Sequence, residues 1–367
     1  MRRCIAVSAV NFTEGGPLTV LREFVDAACS VLPDNWDVVV FLHDAKLLKT
    51  SRARLIEVRY AKRGWLRRLY VEWFALRTYS LELQPDVWVS LHDITPRVVC
   101  TRQAVYCHNP APFFRVRLRD AFFEPQLLAF RLAYKALYRL NIHRNYAVIV
   151  QQAWLREEFR KWTGEAVRIV VAHPADGERS DVPKLRTPGT NRAVFFYPAL
   201  PRAFKNVELI CRAVQMLEQG TQWRSDVVLT IAGTENKYAK WLHAHFASLR
   251  SVKFAGRHSA EQMLERYEEA DCLLFPSRLE TWGLPITEAK QQGLPMFVAD
   301  LPYARETVGN YDRADFIDIE DHAALAEKLL AFQAQTFLFQ PARMNAPAQP
   351  FAADWTGLIH RLTEGLR

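Results

Sequence analysis

The chain has no apolar run long enough to span a bilayer, no short internal repeat and no low-complexity tract. Those absences argue against a transmembrane protein and a repeat array. Cysteine is scarce and scattered. Cys4, Cys29, Cys100, Cys107, Cys211 and Cys272 sit mostly in apolar stretches, and no two have metal-ligand or redox spacing. This excludes a zinc ribbon or a disulfide framework and predicts reduced core thiols in a cytoplasmic protein. Met1-Arg2-Arg3 before Cys4-Ile5-Ala6-Val7 imitates a signal peptide. The apolar stretch is too short for one, however, and runs into Asn11, Glu14 and two glycines, so a first buried strand is expected.

What is present is a length and a rhythm. A chain of 367 residues, half of them hydrophobic, predicts two domains, each with a real core. Strand-like and helix-like patterns alternate almost throughout, which predicts α/β architecture with parallel sheets. In the first half, strands are expected at Cys4–Asn11, Val38–Leu42, Leu55–Tyr60, Val87–Leu91, Ala104–Tyr106, Ala147–Gln151 and Arg168–Val171. Helices are expected from Gly15 to about Cys29, at Trp65–Leu83 and over Arg119–Arg144. Asp176–Asn191, rich in Asp, Pro, Gly, Lys and Arg, reads as a linker. The second half repeats the alternation to a helix at Ala323–Phe332. Its tail then carries Phe351, Trp355, Ile359 and Leu362 at helical spacing. Domains are therefore placed at 1–180 and 181–349, with 350–367 as a helix returning to the first. Charge is uneven as well: residues 1–185 carry 28 Lys/Arg against 19 Asp/Glu, and residues 186–367 carry 20 against 21. An anionic partner for the first half follows: membrane surface, nucleic acid or a phosphorylated substrate.

The most informative stretch is Ser277-Arg278-Leu279-Glu280-Thr281-Trp282-Gly283-Leu284-Pro285-Ile286-Thr287-Glu288-Ala289. It follows the apolar run Asp271-Cys272-Leu273-Leu274-Phe275-Pro276, so strand, loop and helix come in the order that places a loop at the carboxyl edge of a parallel sheet. Ligands bind there in open α/β proteins. Pro285 suits the first helical turn, where its missing N–H costs nothing. The amides of Gly283 and Leu284 then face outward at the positive helix end, ready for a phosphate. Glu280 and Glu288 would repel a phosphate but accept hydrogen bonds from sugar hydroxyls. Taken alone, Glu288 also fits an acidic first turn that complements the helix dipole.

These residues resemble the retaining glycosyltransferases of the GT-B fold, and more narrowly the large family of bacterial mannosyl-, rhamnosyl- and other hexosyltransferases of lipopolysaccharide and exopolysaccharide assembly. The resemblance rests on Glu280 and Glu288 with their Gly-Leu-Pro centre and on the continuation through Gly293-Leu294-Pro295, Asp300 and Glu306-Thr307-Val308-Gly309. Gly15-Gly16-Pro17 adds to it. It implies two Rossmann-like domains whose parallel sheets face across a cleft. It implies a nucleotide-sugar donor, a glycan or lipid-linked oligosaccharide acceptor, no nucleic acid, no cofactor and no metal. No Asp-x-Asp motif follows a predicted strand, and Asp315 and Asp318 read as structural.

By the same resemblance Arg202 and Lys205 hold the donor diphosphate, Glu288 the ribose hydroxyls and Glu280 the donor sugar. The amides of Gly283 and Leu284 take sugar or phosphate oxygens, and Gly16 brings a first-domain amide to the diphosphate. Two cations beside a helix start can neutralise a leaving nucleotide. The usual glycine before the arginine is replaced here by the Pro198-Ala199 neighbourhood, so the lysine is the firmer assignment. His108, after Ala104-Val105-Tyr106, sits where the family places a histidine near the donor sugar; it also fits a histidine capping a turn. His92-Asp93 fits either the acceptor side or a structural loop. The chemistry implied is hexose transfer with retention by a front-face route.

Residues 97–144 hold nine Lys/Arg and only two acids, Asp120 and Glu124. Arg131, Lys135 and Arg139 recur every fourth residue, and Phe113, Phe114, Phe122, Phe123 and Phe130 lie nearby. A basic helix face with aromatics suits an anionic membrane surface; a solvated helix face fits as well. Three alternatives to the transferase stand beside it: a nucleotide-sugar epimerase of the same fold, which needs extra acid-base carboxylates; a nucleic-acid-binding protein, suggested by the basic first half but leaving the second-domain motif unexplained; and a catalytically silent partner protein.

Overall fold

A computed structural model describes residues 2–13, 15–62, 64–174, 192–220 and 222–366. The expected linker, Asp176–Asn191, lies outside the described residues. In chain order the strands are β1 (Arg3–Ser8), β2 (Trp36–Leu42), β3 (Arg54–Glu57), β4 (Val87–Ser90), β5 (Arg102–Cys107), β6 (Ala147–Val150), β7 (Ile169–Ala172), β8 (Val194–Tyr197), β9 (Asp226–Leu229), β10 (Val252–Phe254), β11 (Cys272–Phe275), β12 (Met296–Ala299), β13 (Ala314–Ile317) and β14 (Phe351–Ala352). Every strand pair is parallel among the described residues. The chain divides into two compact units. One holds Met1–Phe113, Phe130–Asp176 and Pro347–Arg367; the other holds Phe114–Ala129 and Gly177–Ala346.

The first unit contains an eight-stranded sheet in the order β14-β7-β6-β5-β4-β1-β2-β3. Short apolar runs such as Ala147–Val150 are buried along their whole length, as strands covered on both faces must be. The helix Gly15–Val31 turns Leu18, Leu21, Phe24, Val25 and Ala28 onto one side of the sheet. The C-terminal helix Trp355–Thr363 joins the same core through Trp355, Leu358, Ile359 and Leu362. Its Asp354 caps the first turn, and the Trp355 indole N–H donates to Glu23 at 2.9 Å. Phe351, expected at helical spacing with these, instead lies in β14 opposite Val171. The expected helix Trp65–Leu83 is three pieces: Trp65–Tyr70, a π-helical turn Val71–Ala75, and Leu76–Leu83. A helix at Ala153–Thr163, absent from the sequence expectation, buries Leu155, Arg156, Phe159 and Thr163.

The second unit contains a six-stranded sheet in the order β10-β9-β8-β11-β12-β13. Counted from β8, this is the doubly wound order 3-2-1-4-5-6, whose direction reverses between β8 and β11. The unit also takes in Phe114–Ala129, which the sequence division at residue 180 assigned to the first domain. The reason is a local apolar cluster of Phe114, Leu127 and Leu279 with Val116 and Phe204, reinforced by ion pairs from Arg117, Arg119, Asp120 and Glu124.

Candidate active site

The reversal between β8 and β11 brings together the two loops singled out in the sequence. After β8 the chain runs through a three-residue 3-10 turn, Ala203–Lys205, into the helix Val207–Gln219. After β11 it runs through Pro276–Trp282 into the helix Leu284–Gln291. The Lys205 ammonium forms a salt bridge with Glu280 Oε1, both side chains keeping about one sixth of their surface open (16 % and 17 %). Lys205 also lies over the Phe275 ring, 5.6 Å from its centroid, and its carbonyl accepts the Tyr197 hydroxyl at 2.7 Å. Arg278 laces the two loops: its N–H donates to Phe204 O at 2.7 Å and its Nη2 to Ala203 O at 2.9 Å.

Gly283 caps the helix Leu284–Gln291 with φ +92°, in the left-handed region. A Cβ there would meet Ile286 Cδ1 and Phe275 Cε1, both at 3.3 Å, so both strain and space select glycine. Pro285 stands in the first turn, as expected. The leading N–H groups of any helix have no intrahelical acceptor, which leaves this end suited to an anion. Buried Trp282 fixes the loop, its indole N–H donating to the Thr287 hydroxyl at 2.9 Å. Glu288 accepts the Tyr267 hydroxyl at 2.5 Å. Burial pushes its carboxyl up from the ordinary carboxylate range, and the Tyr267 O–H pulls part of the way back.

Arg202 is half exposed and pairs with Glu124 Oε2 at 3.0 Å. Glu124 and Asp120 are functional candidates the sequence reading missed, as are Arg278 and Tyr267. A signal for the first two existed: they are the only acids among nine bases in residues 97–144.

In the first unit the strand order reverses between β1 and β4. A pocket of about 250 Å³ opens there, lined by Asn11, Phe12, Asp93, His108, Asn109 and Tyr134 among others. His108 follows β5 and lies edge-on to Phe12, ring centroids 5.5 Å apart. Its Nδ1 is 3.5 Å from Asp93 Oδ1. Asp93 adopts φ +70° and accepts the His108 N–H at 2.8 Å, the Asn109 N–H at 3.2 Å and the Tyr138 hydroxyl at 2.7 Å. Asx side chains tolerate this backbone because they bond locally. His92, its neighbour, points into the core instead, with Nδ1 3.1 Å from Glu72 Oε1 and neither side chain exposed. Burial pushes Glu72 up to about 8 against the pull of Arg68, and drives His92 well down. Burial thus favours the uncharged form of both side chains. Glu72 belongs to the π-helical turn. Gly16 stands in the first turn of the helix Gly15–Val31, but the positive φ, +67°, belongs to Gly15.

The basic helix face differs from its expected form. Lys135 and Arg139 lie over the Trp162 ring at 5.7 and 5.2 Å. Of the five phenylalanines, Phe114 and Phe123 are buried and Phe113 packs into the core beside Phe159, leaving Phe122 and Phe130 exposed. Exposed apolar surface in the first unit comes instead from Leu66, Tyr70 and Phe74, four residues apart on one helical face, and from Leu132 and Leu140. No helix among the described residues is long and apolar enough to cross a membrane, and no group of three or more His, Cys, Asp or Glu residues there could hold a metal ion.

Residues 178–345 match the family model described as glycosyl transferases group 1. The chain is similar to the serotype-specific mannosyltransferase WbdA of Escherichia coli, 25% identical over 166 residues. That match covers 44% of this chain and only 20% of WbdA, so the chain spans about one fifth of the curated relatives it matches. Among solved structures it resembles sucrose-phosphate synthase of Thermosynechococcus elongatus (TM-score 0.67, 16% identity, 91% of this chain and 90% of that one). It also resembles WaaG, a glycosyltransferase involved in lipopolysaccharide biosynthesis (TM-score 0.64, 15% identity, 98% and 100%). At these identities the likeness establishes the fold, which is GT-B.

Proposed function

We propose that this chain is a retaining hexosyltransferase that moves a sugar from a nucleotide-sugar donor to a glycan or lipid-linked acceptor in bacterial surface polysaccharide biosynthesis. The observation that carries the reading is the Lys205–Glu280 pair at the strand-order reversal, one loop away from the Gly283 helix start and Glu288. In this reading the donor diphosphate takes the Lys205 ammonium, with Arg202 as the second cation and the Gly283 and Leu284 amides as donors. Glu280, freed from Lys205, accepts a sugar hydroxyl. Glu288 exchanges the Tyr267 hydroxyl for a ribose hydroxyl, one neutral donor for another. His108 and Gly16 are the first unit's candidates in the same reading.

The chemistry asked of these groups is electrostatic and positional. The bond between the anomeric carbon and the phosphate oxygen breaks as negative charge grows on the diphosphate. Fixed cations and amides stabilise that charge more than they stabilise the intact donor. The acceptor hydroxyl enters from the same face, bonds to the anomeric carbon and gives its proton to the departing phosphate oxygen. Holding both reactants side by side on that face supplies much of the rate. No metal or other cofactor is required in this scheme.

The test is direct. The protein is mixed with labelled UDP-, GDP-, dTDP- and ADP-hexoses and a lipid-linked acceptor extract, and the anomeric configuration of the product is read by NMR. Transfer with retention is expected. Inversion removes the front-face route; nucleotide binding without turnover favours the silent partner; conversion of the free nucleotide sugar favours the epimerase. Peripheral attachment to an anionic membrane belongs to the same reading, now resting on Leu66, Tyr70 and Phe74 together with the basic first half. In liposome flotation, recovery should be greater on anionic than on neutral vesicles, and equal recovery would remove the electrostatic part.

A further inference from the structure

Outside the residues the sequence singled out, a buried polar cluster of the second unit sits on the segment Phe114–Ala129. Two carboxylates there are almost wholly buried: Asp120, with no exposed surface, and Glu124, 6 % exposed. Asp120 faces Arg278, with Nη1 at 3.2 Å from Oδ2 and Nη2 bonded to Oδ1. Glu124 uses both oxygens: Oε1 accepts the Ala203 N–H at 2.9 Å, and Oε2 pairs with Arg202 at 3.0 Å. Arg278 in turn caps the carbonyls of Ala203 and Phe204. The three-residue turn Ala203–Lys205 is thus held at its leading N–H by Glu124 and at two of its carbonyls by an arginine that Asp120 fixes.

A turn of three residues has almost no cooperativity of its own. Its geometry is set by whatever satisfies its outer backbone groups. Here those groups are satisfied from loops 75 and 79 residues distant in sequence. Lys205 closes this turn, and its ammonium is the cation aimed at Glu280. Among the described residues no hydrogen bond or ion pair joins Asp120 or Glu124 to Lys205 or Glu280; they act on the frame that carries both.

We infer that Asp120 and Glu124 are positioning residues: a two-carboxylate strap that fixes the Ala203–Lys205 turn and holds Arg202 beside it, so that the cationic end of the site stands ready for a nucleoside diphosphate. The ligand class rests on the transferase reading; the strap itself does not. The strap also accounts for two acids inside an otherwise basic stretch. A carboxylate on Glu124 is needed for two different partners, an amide and a guanidinium. Glutamine can keep the amide bond and loses the charge.

Two measurements on the full chain test it. Hydrogen exchange of the Ala203, Phe204 and Lys205 amides is compared in the parent, Glu124→Gln and Glu124→Ala. Exchange at Ala203–Lys205 should quicken about tenfold in the alanine variant and far less in the glutamine variant, with amides of β8 and β11 unchanged. Unchanged turn exchange in Glu124→Ala overturns the strap, as does a uniform rise across the sheet, which would mark a general stability role. Separately, affinities for a nucleoside diphosphate and the matching monophosphate are measured. Glu124→Ala should weaken the diphosphate about tenfold and the monophosphate by less than about twofold; equal losses overturn the positioning role. If the parent binds no nucleoside diphosphate, the transferase reading falls while the exchange experiment still decides the strap.

Discussion

The two strand-order reversals solve the same problem with opposite electrostatics. In the second unit, loops meet through ionised pairs: Lys205 with Glu280, Arg278 with Asp120, Arg202 with Glu124. In the first, the polar residues are either neutralised by burial, as with Glu72 and His92, or spend one carboxylate on amides and a hydroxyl, as with Asp93. Of the three, only Lys205–Glu280 leaves both side chains partly open, so it is the pair that can be exchanged for a charged ligand at modest cost, each partner being resolvated. A buried neutral pair cannot release a charge cheaply and serves as a frame. The difference leaves an exchangeable ion pair at the second unit's reversal and a frame of burial-neutralised side chains at the first unit's.

The sharpest way to break this comparison is Lys205→Ala. If the ammonium stabilises the departing diphosphate, turnover should fall roughly 10²- to 10³-fold, with Lys205→Arg recovering part of it. A change in KM alone, with kcat intact, would reduce Lys205 to ground-state binding. Next comes Glu288→Ala, which should weaken nucleotide binding roughly ten- to a hundredfold by calorimetry; parent affinity would refute the ribose role. Glu288→Gln should lose less, since an amide oxygen still accepts a hydroxyl.

The smallest expected effect concerns the first unit and tests its neutral frame. The folded carboxyl of Glu72 sits at about 8, and the unfolded one near the ordinary 4.5. Its contribution is therefore fully present below the unfolded value. It is lost as pH rises through the folded one, because the unfolded chain releases its proton first. His92, held low, works in the other direction: its contribution is lost as pH falls below the usual histidine range. Urea midpoints from about pH 5 to about pH 8 should fall more steeply for the parent than for Glu72→Gln, which keeps His92 and removes the titrating carboxyl. Parallel curves would mean Glu72 is ionised in the fold.

Much of this was legible in the sequence because it is local. Short apolar runs at Ala147–Gln151 and Asp271–Pro276 marked β6 and β11 to within a residue or two, and Gly283-Leu284-Pro285 marked its helix start through backbone conformation alone. The helix Ala153–Thr163 was missed because its charged residues, Arg156 to Lys161, mask a buried face of Leu155 and Phe159. The π-helical turn and the placement of Phe351 in a strand had no local signature. The same divide runs through the site. Glu280, Glu288 and Lys205 belong to motifs whose spacing is readable in the sequence.

What the sequence by itself determined is the alternation of strand and helix, the excess of positive charge in its first half, and the special backbone at residues 283–285. Those depend on side chains within a few positions of one another. Tertiary structure alone decided that Phe114–Ala129 belongs with the second unit, and that Asp120 reaches Arg278 across 158 residues of chain. Buried carboxylates must find cationic partners wherever the fold supplies them, and no spacing rule encodes a partner that far away.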